Sequence, residues 1–254
     1  MKLTRLSVGA SLCFAVLLIG AAIASPATLS GTVRLPVTEH TLRNVMRVLI
    51  VERKDSPTFS AYIRFRVGSV NEAPGQTGLA HLLEHMMFKG TTLFGVTDPD
   101  RERPYLARID AIHLELPRMR QESRHRALPS DQARRVELER ELNMLETEAK
   151  RFVIRNELWE IYRRFGGTNL NASTSRDGTQ YFISLPKNRL ELWALLESDR
   201  LRNPVFREFY TEREVVQEER RQRVDTSPRG QLMESALAAA FTAVPYRHPV
   251  LGWP

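Results

Sequence analysis

The first clear pattern along the chain is an alternation of apolar and polar residues within residues 31–72. Val48 and Ile50 belong to a first run, and residues 63–67 (IRFRV) form a second run in which arginines alternate with apolar residues. A period of two is typical of a strand with one buried face. Residues 54–57 (KDSP) have the composition of a turn, so the pattern predicts a hairpin or adjacent antiparallel strands.

A helical period replaces this alternation from about Gly78 to Phe88, and Gly90 is expected to end that helix. A further strand is predicted at residues 181–185, where apolar residues alternate again. An amphipathic helix is predicted at residues 157–165, and two further helices are predicted at about residues 188–201 and 206–224. This order of elements favours an α+β fold with an antiparallel sheet and packed helices.

A long charged segment, residues 98–155, separates the first helix from the later ones. Apolar positions within residues 138–152 follow steps of four and three, a 3.5-residue seam that is typical of packed helices. Residues 106–116 show a similar spacing, and Pro117 is expected to end or kink that helix. The segment is therefore predicted to be an inserted antiparallel helical hairpin. It carries no candidate metal ligand, so we expect metal binding to survive its removal.

The N-terminal residues have the composition of an export signal. Two basic residues precede an uncharged apolar run at residues 6–23, and Ala22 and Ala24 form a small-x-small cleavage site. We therefore expect residues 1–24 to be a signal peptide that is cleaved after Ala24, and the mature protein to be periplasmic or secreted. The apolar run is short for a membrane span, so no stable membrane anchor is expected.

Composition and charge narrow the remaining possibilities. Cys13 is the only cysteine and lies in the predicted signal, so a packed core rather than disulfides must stabilise residues 31–254. The formal charge is +7, but basic residues alternate with acidic ones, as in residues 134–141 (RRVELERE). Such alternation is typical of a solvated helix face. No nucleic-acid partner is expected.

Residues 81–85 (HLLEH) place three ionisable side chains on the first predicted helix. Residues three and four apart on a helix share a face, so His81, Glu84 and His85 point the same way. Two imidazoles at this spacing can bind two positions of a tetrahedral zinc ion, and the carboxylate beside them can activate a water on the metal. The order H-x-x-E-H is typical of inverzincin metallopeptidases.

An isolated histidine pair is more often an ordinary polar feature of a surface helix. Here the neighbouring Leu82, Leu83 and Met86 are apolar, so the ionisable residues interrupt a helix that is expected to be buried. A buried ionisable group needs a partner or a metal. This context favours metal binding.

The candidate third ligand lies on the predicted helix 206–224, which carries several glutamates. Glu219 has two valines one turn back and is expected to face the core, whereas Glu218 faces a more polar side. Glu212 lies about two turns before Glu219 and shares its face. We predict that Glu219 is the ligand and that Glu212 orients a ligand imidazole. The alternative is a solvated run of charges.

Several ordered blocks resemble the pitrilysin and insulysin family of zinc metallopeptidases, which includes the bacterial homologues of mitochondrial processing peptidase. The resemblance extends over nearly all of residues 40–254. The blocks are residues 67–69 (VGS) with Glu72, residues 78–91 (GLAHLLEHMMFKGT), residues 170–175 (LNASTS) with Thr179 and Tyr181, residues 212–219 (EREVVQEE) and residues 245–249 (PYRHP).

The resemblance implies a zinc cofactor and a set of roles: ligands His81, His85 and Glu219, general base Glu84, and an outer carboxylate, Glu212. It also implies that the strand around Asn171 and Ala172 pairs with an extended peptide substrate, which is recognition by β-augmentation. A plain sheet edge is the alternative for these two residues.

The chain departs from the family pattern in two ways. Glu219 follows His85 by 134 positions (219 minus 85), which is more than the family pattern has, and the inserted hairpin accounts for the excess. Secondly, members of the family usually have two homologous modules, and this sequence stops at Pro254, inside the first. We therefore expect residues 31–254 to be an N-terminal module that is incomplete at its C-terminus.

The sequence thus predicts a zinc-dependent endopeptidase that hydrolyses extended peptides or small unfolded proteins. A second homologous module, in the same chain or in a partner subunit, is expected to complete the substrate chamber. The alternative is a non-catalytic structural or partner subunit of a two-component peptidase. A complete set of candidate metal ligands argues against that alternative.

Overall fold

A computed structural model describes residues 35–123 and 129–253. The predicted signal peptide, residues 1–24, lies outside the described residues. The strands are β1 (Val37–Thr41), β2 (Arg47–Val51), β3 (Thr58–Phe65), β4 (Thr168–Thr174) and β5 (Thr179–Pro186). The helices are α1 (Leu79–Met86), α2 (Pro99–Ser123), α3 (Pro129–Lys150), α4 (Glu157–Arg164), α5 (Leu190–Arg202), α6 (Phe209–Arg220) and α7 (Pro228–Ala240).

The described residues up to Lys54 form a unit of their own. In it β1 and β2 pair as an antiparallel hairpin, from Val37 opposite Val51 to Thr41 opposite Arg47. The turn is closed by a hydrogen bond from the Leu42 amide to the Met46 carbonyl.

The second unit begins at Asp55, and its sheet has the strand order β3-β5-β4 with antiparallel pairing throughout. The described pairings do not include the predicted hairpin across residues 54–57, because β2 pairs with β1 and β3 pairs with β5. An alternating pattern specifies which face of a strand is buried but not which strand pairs with it. The prediction of an α+β fold with antiparallel strands is confirmed.

One face of the three-stranded sheet forms the main core. The residues of β5 alternate strictly, with Tyr181, Ile183 and Leu185 buried. Leu158 and Tyr162 of α4 pack against this face, together with other apolar residues (Phe94, Leu170 and Leu196). Within the described residues β4 pairs only with β5, so β4 is one edge of the sheet.

The inserted segment folds as two long helices, α2 and α3, that pack on each other. Ile112, Leu116 and Leu138 form a buried cluster, and Met119 packs against it. The helix α2 continues through Pro117 to Ser123, which differs from the predicted end or kink. Leu116 and Met119 flank this proline and both contact the cluster, so packing on α3 favours a continuous helix despite the lost hydrogen bond.

Two further features were not predicted from apolar periodicity. The helix α7 follows α6 after a short π-helical segment, Arg221–Asp225. The strand β4 has the polar sequence TNLNAST, with Leu170 as its only fully buried residue. Within residues 35–123 and 129–253, no helix is both long and apolar enough to cross a bilayer.

Candidate metal centre

The helix α1, which carries both histidines, has a fixed starting point. Its N-cap, Gly78, has φ 92°, a conformation that glycine adopts without strain. A side chain here would lie 2.9 Å from the carbonyl oxygen of Leu251. The Glu72 carboxylate accepts hydrogen bonds from the amides of Gly78 (2.8 Å) and Ala80 (2.7 Å). An anion at a helix N-terminus is stabilising, so Glu72 fixes the start of α1.

The side chains of His81, His85 and Glu219 meet between α1 and α6. The Glu219 Oε2 atom lies 3.5 Å from His85 Nε2 and 3.9 Å from His81 Nε2. One ligand atom from each residue lies within 4.8 Å of the others. Ligands at about 2.0–2.1 Å from a tetrahedral zinc lie roughly 3.4 Å apart. Two imidazoles and one carboxylate also make a donor set that suits zinc, so these residues fit the metal that the sequence predicted.

The environment of His81 favours the protonation state that a metal requires. His81 is buried, and burial followed by the nearby His85 lowers its pKa. Among the described residues its Nδ1 atom has no hydrogen-bond partner. A neutral imidazole is the form that binds a metal. His81 is therefore available as a ligand through Nε2, the atom that faces Glu219.

His85 is oriented by a second carboxylate on α6. Its Nδ1 atom lies 2.9 Å from Glu212 Oε1, which leaves Nε2 facing Glu219. This hydrogen bond is the main cause that raises the pKa of His85, and it also lowers the pKa of Glu212 to about 2. Lys89 lies 2.6 Å from the other Glu212 oxygen. A carboxylate bound to the far nitrogen of a ligand histidine fixes its tautomer and ring orientation.

The helix α6 turns Glu219 and Glu218 in different directions. Val216, three residues before Glu219, is buried against α1, and this contact sets the rotation of α6. Glu219 Oε1 binds Arg223 at 2.8 Å, while its Oε2 faces the histidines. Glu218 instead pairs with Arg221 on the more exposed side. Only one of the two adjacent glutamates therefore joins the cluster.

Glu84 lies on the same face of α1 and is buried. Burial is the largest influence on its carboxyl group and raises its pKa, although a hydrogen bond donated by Thr174 Oγ1 at 2.5 Å acts in the opposite direction. A carboxylate with a raised pKa holds a proton more readily at neutral pH. Burial thus shifts the proton affinity of Glu84 in the direction that proton transfer near neutral pH requires.

Asn171 and Ala172 lie on β4, the edge strand that also carries Thr174. Asn171 is exposed, and its Oδ1 atom accepts a hydrogen bond from the Ala172 amide at 2.9 Å. That amide is thus directed to a side chain of its own strand. The structure brings His81, His85, Glu219, Glu212 and Glu84 together, and it places Asn171 and Ala172 on the sheet edge beside them.

The predictions from sequence gave no role to four residues that support the site, which are Glu72, Lys89, Thr174 and Arg223. One of them follows a local rule, since Arg223 lies four residues after Glu219 and pairs with it. Lys89 instead pairs with Glu212 of α6. Thr174 reaches Glu84 only through the packing of β4 against α1. No local pattern predicts that contact.

The chain is similar to known peptidases over most of its length. A family model described as Insulinase (Peptidase family M16) matches residues 47–95 and 143–252. The "Zinc protease PqqE" of Helicobacter pylori is 28% identical over 216 residues, which are 84% of this chain and 35% of that protein. The "Stromal processing peptidase, chloroplastic" of Pisum sativum is 41% identical over 51 residues, 20% of this chain and 4% of that protein.

A solved crystal structure of a protease from Helicobacter pylori has a similar fold. It aligns with a TM-score of 0.60 and 26% identity, covering 87% of this chain and 39% of that one. The chain thus spans 35% of the length of the first curated relative. The two ranges of the family match leave out residues 96–142, which contain α2 and the first part of α3.

Proposed function

Because the chain belongs to the insulinase family of peptidases, peptidase family M16, we propose that it hydrolyses peptide bonds with a zinc ion held by His81, His85 and Glu219. The observation that supports this most is the meeting of three suitable ligand atoms within 4.8 Å, from two helices that are distant in sequence. Glu84 lies on the same helix face as the two histidines. This set combines metal ligands with a group that can transfer a proton.

When bound, zinc acts as a Lewis acid that polarises the scissile carbonyl and lowers the pKa of water. Glu84 takes a proton from the attacking water, whose oxygen forms the new bond to the carbonyl carbon. As the carbon–nitrogen bond breaks, Glu84 gives this proton to the leaving amine. Its raised pKa favours holding the proton between the two steps, and the hydrogen bond from Thr174 keeps the carboxylate in place.

We propose an extended peptide as the substrate, held along the exposed edge of β4 at Asn171 and Ala172. This edge is next to the cluster, because Thr174 of the same strand contacts Glu84. A peptide that adds to a sheet edge gains main-chain hydrogen bonds whatever its sequence. Cleavage within an extended chain, which is endopeptidase activity, is the reaction that this arrangement supports best.

We also propose that a second homologous module, in the same chain or in a partner subunit, covers the site during catalysis. Leu79 and Leu83 lie on α1 next to the histidines, and each remains nearly half exposed, at 48% and 47%. Exposed apolar side chains beside a reactive site favour a covering surface. A covering module would also position the peptide, which an open site does poorly. The alternative, a non-catalytic partner subunit, lacks a specific observation in its favour.

The replacement Glu84→Gln tests the proposal in the full-length protein. Zinc content should stay near one ion per site, because the amide preserves the helix and all ligands. Hydrolysis of a fluorogenic peptide should fall by about 10²- to 10⁴-fold. The matched control is Glu214→Gln on the exposed side of α6, which should retain wild-type turnover. Near-normal turnover of the Glu84→Gln variant would exclude Glu84 as the base.

Export to the periplasm or the medium also remains a proposal, based on the composition of residues 1–24. Sequencing the N-terminus of the protein purified from its native cells tests it. A start at Ser25 is expected, and a mature protein that still carries the apolar run would contradict the proposal.

A further inference from the structure

A buried ion pair connects the inserted hairpin to the segment that leads into α6. Glu102 of α2 accepts two hydrogen bonds from Arg207 Nε, at 2.7 and 2.9 Å. Both side chains are almost fully buried, with side-chain exposures of 2% and 1%. A buried arginine needs a carboxylate and further acceptors to compensate for lost hydration. Glu102 therefore neutralises a charge that lies in the core of the module, outside the hairpin.

The other donors of Arg207 bind the backbone that follows α1. Arg207 Nη2 donates to the Thr91 carbonyl at 2.6 Å, and Nη1 donates to the Lys89 carbonyl at 3.3 Å. The amide of Val205 also donates to the Gly90 carbonyl at 3.1 Å. The guanidinium of Arg207 thus connects the residues that follow α1 to the chain segment just before α6.

The first turn of α6 has its own contacts with the hairpin. Tyr210 donates a hydrogen bond to Asp110 of α2 at 3.1 Å, and its ring stacks on His113. Apolar residues of α2 and of the segment before α6 are separated here by a cavity of about 310 Å³. Because a cavity interrupts close apolar packing, these polar contacts fix the position of α6 against α2.

We infer that Arg207, held by Glu102, is a positioning residue that sets the separation between α1 and α6 and hence between His85 and its partners Glu212 and Glu219. The inference rests on the proposed zinc function. It predicts, against the expectation from sequence, that removal of the hairpin weakens the metal site, since removal of α2 would leave Arg207 as a buried charge without its carboxylate.

A pair of double variants of the full-length protein separates positioning from simple stabilisation. Glu102→Leu with Arg207→Met removes both buried charges together, and such replacements of a buried pair often preserve stability. It also removes the donors to the Lys89 and Thr91 carbonyls. The matched control is Arg108→Met with Glu141→Leu, which removes a bidentate pair that lies within the hairpin, between α2 and α3.

Three measurements are made on each variant: thermal stability, zinc affinity by competition with a chelator, and the absorption spectrum of the cobalt(II)-substituted protein. For the Glu102 and Arg207 double variant we expect near-normal stability, about a tenfold weaker zinc affinity and a changed cobalt spectrum, since groups that orient ligands typically affect affinity to this extent. The control should match the wild type. Wild-type affinity and spectrum in the first double variant would overturn the inference.

Amide hydrogen exchange in the metal-free protein provides a readout that does not require zinc. The Val205 and Lys89 amides should exchange faster in the Glu102 and Arg207 double variant, even though the global stability is matched. Unchanged exchange would contradict the positioning role. If the wild type itself binds no zinc, the proposed function fails, and exchange at these two amides still decides whether Arg207 fixes the segment.

Discussion

Two pairs of helices in this molecule are held together by different means. The helices α2 and α3 of the insert meet along an apolar seam in which Ile112 and Leu138 are completely buried. The helices α1 and α6 share a smaller apolar contact around Leu82, Met86 and Val216. They also face each other through ionisable side chains that lie in pairs, His81 and His85 with Glu219 and His85 with Glu212.

The difference shows what each pair requires. An apolar seam depends on buried volume and tolerates changes that conserve that volume. The polar pair must place single atoms within a few tenths of an ångström, and burying its charges costs free energy unless each has a partner. The α2–α3 pair is held by an apolar cluster of its own residues, whereas the α1–α6 pair also has polar contacts from outside it, such as those of Glu72, Arg207 and Thr174.

The largest expected effect is on the free energy of unfolding, and it tests the apolar seam between α2 and α3. Leu138→Ala should lower the free energy of unfolding by about 2–5 kcal/mol, because it creates a cavity at a fully buried position. Met144→Ala on the same helix should change it by no more than about 0.5 kcal/mol, since Met144 is exposed. Chemical denaturation followed by circular dichroism measures both. Equal effects would mean that the seam does not stabilise the hairpin.

The next effect tests the polar pair. Glu219→Gln should weaken zinc binding by more than about 100-fold, the upper range for a group that merely orients a ligand. Glu218→Gln should leave zinc affinity unchanged, because Glu218 pairs with Arg221 away from the histidines. Isothermal titration with zinc compares the two variants directly. Similar losses for both would show that α6 is rotated differently about its axis.

A smaller loss is expected for Glu212→Gln. Zinc affinity should fall by about 10- to 100-fold, because His85 loses the carboxylate that orients its ring. In the metal-free protein the pKa of Glu212 is lowered to about 2, so its stabilising contribution is complete above the ordinary carboxyl range. That contribution is lost as the pH falls towards 2.

Thermal melts of metal-free wild type and the Glu212→Gln variant between pH 7 and pH 2 measure this contribution. The difference in stability between them should shrink with acidification. The pKa of His85 is raised, so its own contribution is present at low pH and is lost as the pH rises through that pKa. A stability difference that does not depend on pH would contradict the hydrogen-bonded pair.

The smallest effect is expected for Thr174→Val. The variant removes the hydrogen bond that lowers the pKa of Glu84, so this pKa should rise and the acid limb of the pH–activity profile should move to higher pH. Turnover near neutral pH should fall by about fivefold, which corresponds to the ~1 kcal/mol of a typical hydrogen bond. Thr174→Ser keeps the hydroxyl and should behave as the wild type. If the acid limb of the pH–activity profile does not shift in the Thr174→Val variant, Thr174 does not lower the pKa of Glu84.

The sequence predicted those features that depend on local periodicity. The seam of α2 and α3 is visible as apolar steps of three and four, and the shared helix face of His81, Glu84 and His85 follows from helical geometry. The distinction between Glu218 and Glu219 also followed from helical phase. Even so, only Val216 of the two valines used in that argument is buried, while Val215 is 47% exposed.

Features that depend on long-range pairing could not be predicted in this way. The partner of β2 is a polar strand with no strong alternation, so the neighbouring run was the more obvious choice. Glu102 and Arg207 are 105 residues apart, and each looks like one more exposed charge in a charged segment. Only the folded chain shows that both are buried and that the insert thereby pairs with Arg207, whose other donors bind the backbone after α1.

The close approach at Gly78 also has a consequence for the order in which the molecule is assembled. Gly78 packs against Leu251, and the Trp253 amide donates a hydrogen bond to Thr77 at 2.9 Å. A ribosome synthesises α1 well before it reaches these partners, at a rate of about 5–20 residues per second. A nascent chain thus carries both imidazoles for on the order of ten seconds without the contacts that fix their helix. Full metal-binding geometry is expected only once residues 251–253 have been synthesised and have packed against the start of α1.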